Sequence, residues 1–592
     1  MASSPGQARP NLCPARKATK ALPGTLAALA LLTGLAAAAC SQEASSPSET
    51  PVAGPLRLAV EPGVPSGTEA LARAFSGLLG VDVTSVDPGA RPHLTISLEP
   101  SPATAEDGTP SEEGTSTAVA YRYWVPVALF WSRLEGLAWS DLRAALTSGS
   151  TAPAGASALY LPSDLREELE RAIGAPVPAS DAAGSVRWLP QTEIAGALAD
   201  DEGVLALLPL EAVDYHVRSL ALDGIDLVRG TGPFEDYPLA NRLWLTTDQE
   251  AIEGAPPSLR TAVEGLVDLL RRHFQAQATP RPIRLLATGD IIPARCVYAQ
   301  HLAYQDFRHA FLATADLLRA ADITVGSLDA SLSDAGQPIG CTRTFSLLAP
   351  ARSVEGLTFA GFDVLTVASN HAKDCGASAC GDQALLDTLA NLEAAGIAAV
   401  GGGRNLAEAR SARVLTVNGI RFAFLSYDDI GSSDYGATES SPGTAPLAFG
   451  TLGEDVARAR QEADVVIVLN HWGTEYTSVP TERQRGLAWE AVDAGATLVI
   501  GNHPHAVQAV EFLEGGFVSY ALGNFVFDQD WSLETQQGVV LEAVFHGARL
   551  VSVRFLPVHI YDQHQPRWAE PSEGDSILGR MEEASRGLPP GP

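Results

Sequence analysis

At 592 residues the chain is too long for one hydrophobic core, so two or three domains are expected. Its 46% hydrophobic and 19% charged content is the balance of a folded globular protein. Acidic residues outnumber basic ones 70 to 40, which excludes broad binding to a phosphate backbone and leaves no nucleic-acid partner to expect. An anionic substrate would have to be met locally, by a metal or a few arginines.

Residues 1–40 read as an export signal. Arg9, Arg16, Lys17 and Lys20 form a basic leader, followed by the uncharged "ALPGTLAALALLTGLAAAA" and then Cys40. A cysteine directly after the alanines resembles a bacterial lipoprotein signal, which implies that Cys40 becomes the lipidated first residue. The alternative is an uncleaved anchor, since the segment is nearly long enough to span a bilayer. Both place the body of the protein outside the cytoplasm. The lipoprotein resemblance implies attachment to the outer face of the cytoplasmic membrane, at the cell surface or in the periplasm. Residues 41–55, rich in Ser, Pro and Glu, read as a flexible tether.

Residues 56–275 alternate short strands with helices. "LRLAVEP", "HLTISLEP" and "VLALLPL" read as strands, whereas "GTEALARAFSGLLG" and "PPSLRTAVEGLVDLLRRHF" carry apolar residues at helical spacing. His93, His216 and His273 are isolated and read as surface or core histidines. "YWVPVALFWS", "LAWSDLRAAL", "GVLALLPLEAV", "VRSLALDGID" and "YPLANRLWL" resemble periplasmic solute-binding proteins of the phosphate-binding type. That resemblance implies a two-lobed α/β domain. The plainer reading is a divergent α/β domain that spaces or docks the rest. "QAQATPRPI" reads as the join.

From Ile283 onward apolar runs stop at polar, ligand-type residues. "IRLLATGD" delivers Asp290, "DITVGSLD" delivers Asp329, and "FDVLTVASNH" delivers Asn370 and His371, followed by Asp374. "DVVIVLNH" delivers His471, "ATLVIGNHPH" delivers His503 and His505, and "FVSYALGNFVFDQ" carries Asn524. One Asp after a strand is ordinarily a turn former or helix cap. A whole series ending this way, with an H-x-H pair, points to a centre at the carboxyl edge of a sheet. Mixed carboxylate, amide and imidazole donors suit Mn, Fe or Zn, as one or two ions. In a two-metal site a carboxylate bridges ions about 3.5–4 Å apart, which polarise the scissile group and generate hydroxide. His371 is then placed to act as general acid. This arrangement resembles the calcineurin-like metallophosphoesterases.

The blocks "GDIIPAR", "SNHAKDCG", "AGIAAVGGGRNLAEAR", "HWGTEY", "GNHPHAVQAVE" and "ALGNFVFDQ", in that order, resemble the CapA family of poly-γ-glutamate capsule synthesis proteins. The resemblance implies a metallophosphatase-like α/β/β/α sandwich over residues 283–565. It also implies an anionic polymer or small anionic substrate, and capsule-synthesis machinery as a partner. On matching positions it implies metal ligands at Asp290, Asp329, Asn370, His471, His503 and His505. Arg295 would orient the anion, and Asp374, Glu475, Gln508 and Asn524 would support the ligands or touch substrate. Trp472 reads as packing beside His471 in preference to stacking on substrate. Two departures stand out. Ser327-Leu328-Asp329 replaces the family's Asn-Leu-Glu, and Ile292 stands where phosphoesterases carry the histidine of D-x-H.

Four cysteines, Cys296, Cys341, Cys375 and Cys380, allow up to two disulfides in an exported protein, with connectivity open. The rival thiolate zinc site lacks a C-x-x-C pair. "VGGGRNLAEAR" reads as a strand-to-helix turn in preference to an anion cradle. Residues 566–592 read as a short helix and a loose tail. Three functions stay open: a surface metallohydrolase, a polymer- or partner-binding envelope protein without turnover, and a solute-binding lipoprotein with an accessory CapA domain.

Overall fold

Strand alternation and helical periodicity sort the apolar residues into five buried cores, and their membership defines the layers. The structure is a computed structural model and describes residues 55–592 apart from 63, 66, 99–113, 149–151, 179–185, 200, 202, 279–280 and 591–592. Cys40 lies outside the described residues. Among those described, no helix is long and apolar enough to cross a membrane.

The front half of the chain builds one nine-stranded sheet. Its strands are β1 (Leu56–Val60), β2 (Val83–Ser85), β3 (Leu94–Ser97), β4 (Gly114–Leu129), β5 (Ala158–Pro162), β6 (Val186–Leu189), β7 (Val204–Pro209), β8 (Val217–Ser219) and β9 (Ala240–Asp248). Their order is β2-β1-β3-β9-β4-β7-β5-β6, with β8 beside β4. Strand β4 serves two lobes: β9 pairs with Gly114–Tyr123, and β7 pairs with Trp124–Ala128. Each lobe has its own core. Leu58, Ile96 and Leu245 pack with Leu259, Val263, Leu266 and Leu270 of α1 (Pro257–Ala278), whose spacing puts all four on one helical face. Val125, Leu159, Leu205 and Leu207 belong to the other core.

Two further sheets follow. The first contains β10 (Pro282–Ile291), β11 (Ile323–Leu328), β12 (Val364–Thr366) and β13 (Ala398–Val400). The second begins with β14 (Arg413–Val417), β15 (Ile420–Asp428), β16 (Val465–His471), β17 (Leu498–Asn502), β18 (Val510–Leu513) and β19 (Gly516–Ser519). The chain then returns to the first sheet with β20 (Asn524–Val526), β21 (Gln537–His546), β22 (Arg549–Tyr561) and β23 (Gln565–Trp568). Strand orders are β13-β12-β11-β10-β21-β22-β23, with β20 beside β10, and β14-β15-β16-β17-β19-β18.

Alternation along each strand assigns its faces. Ile283, Leu285 and Ala287 of β10 share a core with Val465, Ile467 and Leu469 of β16, so the sheets pack face to face. Leu286 of β10 turns the other way, to Val297 of α2 (Arg295–Tyr304) and Leu385 and Leu392 of α3 (Gln383–Ala394). Val466 and Val468 of β16 turn to Val456 of α4 (Thr451–Glu462) and Leu487 of α5 (Glu482–Asp493). The result is the expected α/β/β/α sandwich. Strands β10 to β13 are mutually parallel, as are β15, β16, β17 and β19, so each sheet gathers its carboxyl ends on one edge. That edge carries the polar residues in register, with Asp290 opposite Ser327 and His471 opposite Asn502.

Two expectations are corrected. "FVSYALGNFVFDQ" is two strands in different sheets, β19 and β20, and Asn524 opens β20 instead of ending a run. The exchange of sheets needs Gly289, where a Cβ would stand 2.0 Å from the Gly523 carbonyl oxygen. The stretch after 565 is no loose tail. It forms the end of β23 and the helix α6 (Pro571–Arg586), whose Ile577, Met581 and Ala584 recur at helical spacing and are buried.

The front half shares buried structure with the sandwich. Phe130, just past β4, packs edge-on against Phe512 and Phe555, and the Tyr215 hydroxyl donates to the Leu513 carbonyl at 3.0 Å. Glu542 of β21 is fully buried between Arg229 (2.9 Å), Arg284 (2.6 Å) and Arg554 (3.2 Å).

Candidate metal centre

The strand ends bring Asp290, Asp329, Asn370, His371, His471, His503 and His505 to one edge. Asp290 is the penultimate residue of β10, Asp329 follows β11 directly, Asn370 and His371 stand in the loop after β12, and His471 closes β16. His503 and His505 follow β17, both in the left-handed backbone region at φ 94° and 54°. Residues with a Cβ adopt that region at a cost, and such strain collects at functional sites.

Asp329 is the centre of the set. It is fully buried, and among the described residues neither carboxylate oxygen makes a well-formed hydrogen bond, although the Ser369 side chain stabilises its charge as a hydrogen-bonding neighbour. His471 Nε2 lies 3.6 Å from its Oδ1, too long for a hydrogen bond. Ligand-type atoms of Asp290, Asp329 and His505 lie within 4.8 Å of one another. Asp290 accepts from Ser327 Oγ at 2.9 Å and from the His503 amide at 3.1 Å. The residue that departs from the family pattern at 327 thus steadies Asp290. His505 Nδ1 faces Asn524 Oδ1 at 2.9 Å and Asp290 Oδ2 at 3.4 Å. Asn370 Oδ1 and His471 Nε2 are 2.7 Å apart.

Electrostatics follow from burial and like charge. Burial pushes the Asp329 carboxyl up to about 6, with Asp290 adding and the charges of His371 and His505 opposing. Burial, reinforced by the neighbouring His505, pushes His503 down to about 3, and burial with His503 and His505 holds His471 well below the usual imidazole range. Both rings stay neutral at physiological pH, the form that donates to a metal. For His371 burial opposes charging, yet Asp329 and the hydrogen bond to Asp374 outweigh it and raise its pKa. That bond, Nδ1 to Asp374 Oδ2, is 2.7 Å.

The donor set fits a divalent cation. A buried carboxylate and buried imidazole nitrogens at His471 Nδ1 and His503 Nδ1 make no well-formed hydrogen bond among the described residues, a costly state that cation binding relieves. Ile292 is fully buried and supplies no donor.

Other expected residues have different surroundings. Arg295 is held by Asp528. Its Nε lies 3.1 Å from each oxygen of Asp528, its Nη2 also pairs with Asp528, and its Nη1 donates to the Thr344 carbonyl at 2.9 Å. A guanidinium so engaged acts as a structural clamp between Asp528 and the Thr344 carbonyl. Gln508 accepts from Gln484 Nε2 at 2.9 Å and donates to the Thr477 carbonyl at 3.1 Å, bracing the turn after β16. Trp472 is fully buried and donates to the Tyr520 carbonyl at 2.9 Å. A Cβ at Gly501 would meet its indole nitrogen at 2.1 Å, so glycine is required there. The Gly-rich run is a turn into a short helix capped by Asn405. Disulfides join Cys296 to Cys341 and Cys375 to Cys380.

Sequence reasoning missed Asp528, and it named Ser327 only as a departure without its role. The signal for Asp528 was a lone acid after the apolar "FVF" run, and for Ser327 its place two residues before Asp329 at a strand end.

An α/β/β/α sandwich with Asp, Asn and His donors gathered at its strand ends defines a metallophosphatase-like domain. Residues 284–529 match the family described as bacterial capsule synthesis protein PGA_cap. The PGA biosynthesis protein CapA of Bacillus subtilis is 32% identical over 254 residues, covering 43% of this chain and 65% of that relative. The chain thus spans just under two thirds of the relative's length. Among solved structures, the NAD nucleotidase NadN of Haemophilus influenzae superposes with a TM-score of 0.30 at 14% identity, covering 51% of this chain and 56% of that one. An ABC-type phosphate transport receptor of Vibrio cholerae gives 0.26 at 10% identity, over 37% of this chain and 98% of that one. Through residues 284–529 the chain is similar to the CapA capsule synthesis proteins of bacteria.

Proposed function

We propose that this is an exported, Cys40-lipidated envelope protein that acts in synthesis of an anionic polymer of the poly-γ-glutamate type, through a metal-dependent hydrolase-like site. Residues 56–275 form a solute-binding-like domain in this reading, and residues 283–565 the CapA domain. The observation that carries the reading is Asp329, a fully buried carboxylate without a well-formed hydrogen bond among the described residues, set among Asp290, His471 and His505.

Asp290, Asp329, Asn370, His471, His503 and His505 would hold Mn, Fe or Zn as one or two ions. The metal would supply Lewis acidity and water activated near neutral pH. His371 holds a proton for the leaving group. Asp374 fixes its Nδ1, leaving Nε2 as the nitrogen for exchange, and the raised pKa keeps the ring protonated further towards neutrality. Asp374 also accepts from the Leu347 amide at 2.6 Å, which holds the carboxylate still. The substrate class is a phosphoester or an amide-type bond of an anionic polymer.

The test is elemental analysis of the purified chain, with a phosphodiester and poly-γ-glutamate assayed under Mn, Fe and Zn. Wild type should carry a transition metal, and His503→Ala with His505→Ala should lose it. Unchanged metal content would refute the ligand set. A loaded site without turnover would make the protein a polymer binder.

A further inference from the structure

Glu475, in the turn after β16, is exposed, and on sequence alone it reads as a support for the ligands or a substrate contact. The structure puts one of its carboxylate oxygens, one ring nitrogen of His503 and one of His505 within 4.8 Å of one another. Donors about 2.1 Å from an ion stand roughly 3–4 Å apart, so a small closure of these side chains would complete a coordination triangle.

The placement is enforced by backbone. The Tyr476 amide donates to the Pro504 carbonyl at 2.8 Å, and the Trp472 amide to the Asn502 carbonyl at 3.1 Å. These bonds tie the turn carrying Glu475 to the loop carrying both histidines. Gln508 bonds the Thr477 carbonyl from the same loop. Tyr476 is at φ 61°, in the left-handed region that His503 and His505 also occupy. Three residues with side chains are therefore held in a costly conformation around one small volume. The imidazoles are buried, at 5% and 4% exposure, and His503 Nδ1 has no hydrogen-bond partner among the described residues. Ile292 contributes no donor on the β10 side, so a carboxylate on the solvent side adds a ligand where the set is thin.

We propose that Glu475 is itself a metal ligand, binding a divalent transition cation jointly with His503 and His505. This rests on the reading of the edge as a metal centre. It goes further by moving Glu475 into direct coordination and by opening the cation towards solvent, where substrate arrives.

The test is Mn²⁺ binding to the purified full chain and to Glu475→Gln, by calorimetry and elemental analysis after chelation and dialysis. Glu475 is exposed, and the chelated variant should unfold like chelated wild type. A residue that only steers a ligand costs about 10–100-fold in metal affinity when removed. Loss of a direct ligand should exceed about 100-fold. A smaller loss overturns the assignment of Glu475 and leaves the metal centre standing. A wild-type chain that binds no Mn²⁺, Fe²⁺ or Zn²⁺ overturns the metal centre itself.

Discussion

Asp329→Asn should stabilise the chelated protein and destabilise the metal-loaded one. Burial, with the nearby Asp290 charge, pushes the Asp329 carboxyl up to about 6 from an unfolded value near 3.8. Below about pH 4 the carboxyl is protonated in both states, so its burial carries no charge penalty. As pH rises towards 6 the unfolded chain releases a proton that the native state retains, and stability falls. Above that the penalty is complete. Two units at 1.36 kcal/mol each give about 3 kcal/mol at pH 7. Asn has nearly the same size and no charge, so in EDTA at pH 7 the variant should gain up to about 3 kcal/mol, and by pH 4 nearly nothing. With metal at a hundred times its dissociation constant the wild type gains about 2.7 kcal/mol, much of which Asn forfeits as a neutral, weaker donor. Urea denaturation followed by tryptophan fluorescence, at both pH values with and without Mn²⁺, measures all four cases. A variant less stable than wild type in EDTA at pH 7 would refute the argument, because His371, His505 and Ser369 would then more than offset the burial of the Asp329 charge.

Two further outcomes test the surroundings. Arg295→Ala removes the charged partner of Asp528, whose side chain is 3% exposed and would keep the Cys296 amide at 3.0 Å, and leaving that charge without a counter-ion should cost about 3–5 kcal/mol with metal content unchanged; unaltered stability would show that the clamp is idle. His301 is buried with both ring nitrogens unpartnered among the described residues, and burial, with His564 and His309, pushes its pKa down to about 4 from 6.5. Stability is therefore full above about 6.5 and declines as pH falls towards 4, by about 3 kcal/mol, a decline His301→Leu should lack in acid denaturation curves.

The centre was legible because parallel strands buried on both faces leave a simple pattern, an apolar run that ends where the chain meets the open edge. Asp290, His471 and His503 follow that rule. Asn524 broke it, since nothing local distinguishes a strand's end from a change of sheet, and that change depends on how closely Gly289 approaches Gly523. The partner of Arg295 was hidden for a related reason. A sequence shows a cation beside a ligand block, but not that its partner lies 233 residues away at Asp528. The carboxyl-terminal helix was undervalued because its surroundings are charged, although Ile577 and Met581 mark a buried face. Glu475 carried the weakest signal: its meaning comes from the Tyr476 to Pro504 backbone bond, which no spacing rule predicts.

The union of the two halves follows from charge as much as from apolar contact. Glu542 carries one negative charge and meets three guanidinium groups, of which Arg229 comes from the front half and Arg284 and Arg554 from the sandwich. Burial alone would raise its pKa, yet these cations outweigh burial and hold it below the ordinary glutamate range. A buried ionic cluster of this kind gains little net stability over an apolar substitute, because desolvation offsets the attraction. It does penalise any displacement that strands a charge. Phe130 adds the apolar counterpart by inserting into the Phe512, Phe517 and Phe555 group. Moving the front half off the sandwich would strand Glu542 without Arg229 and expose the Phe130 ring.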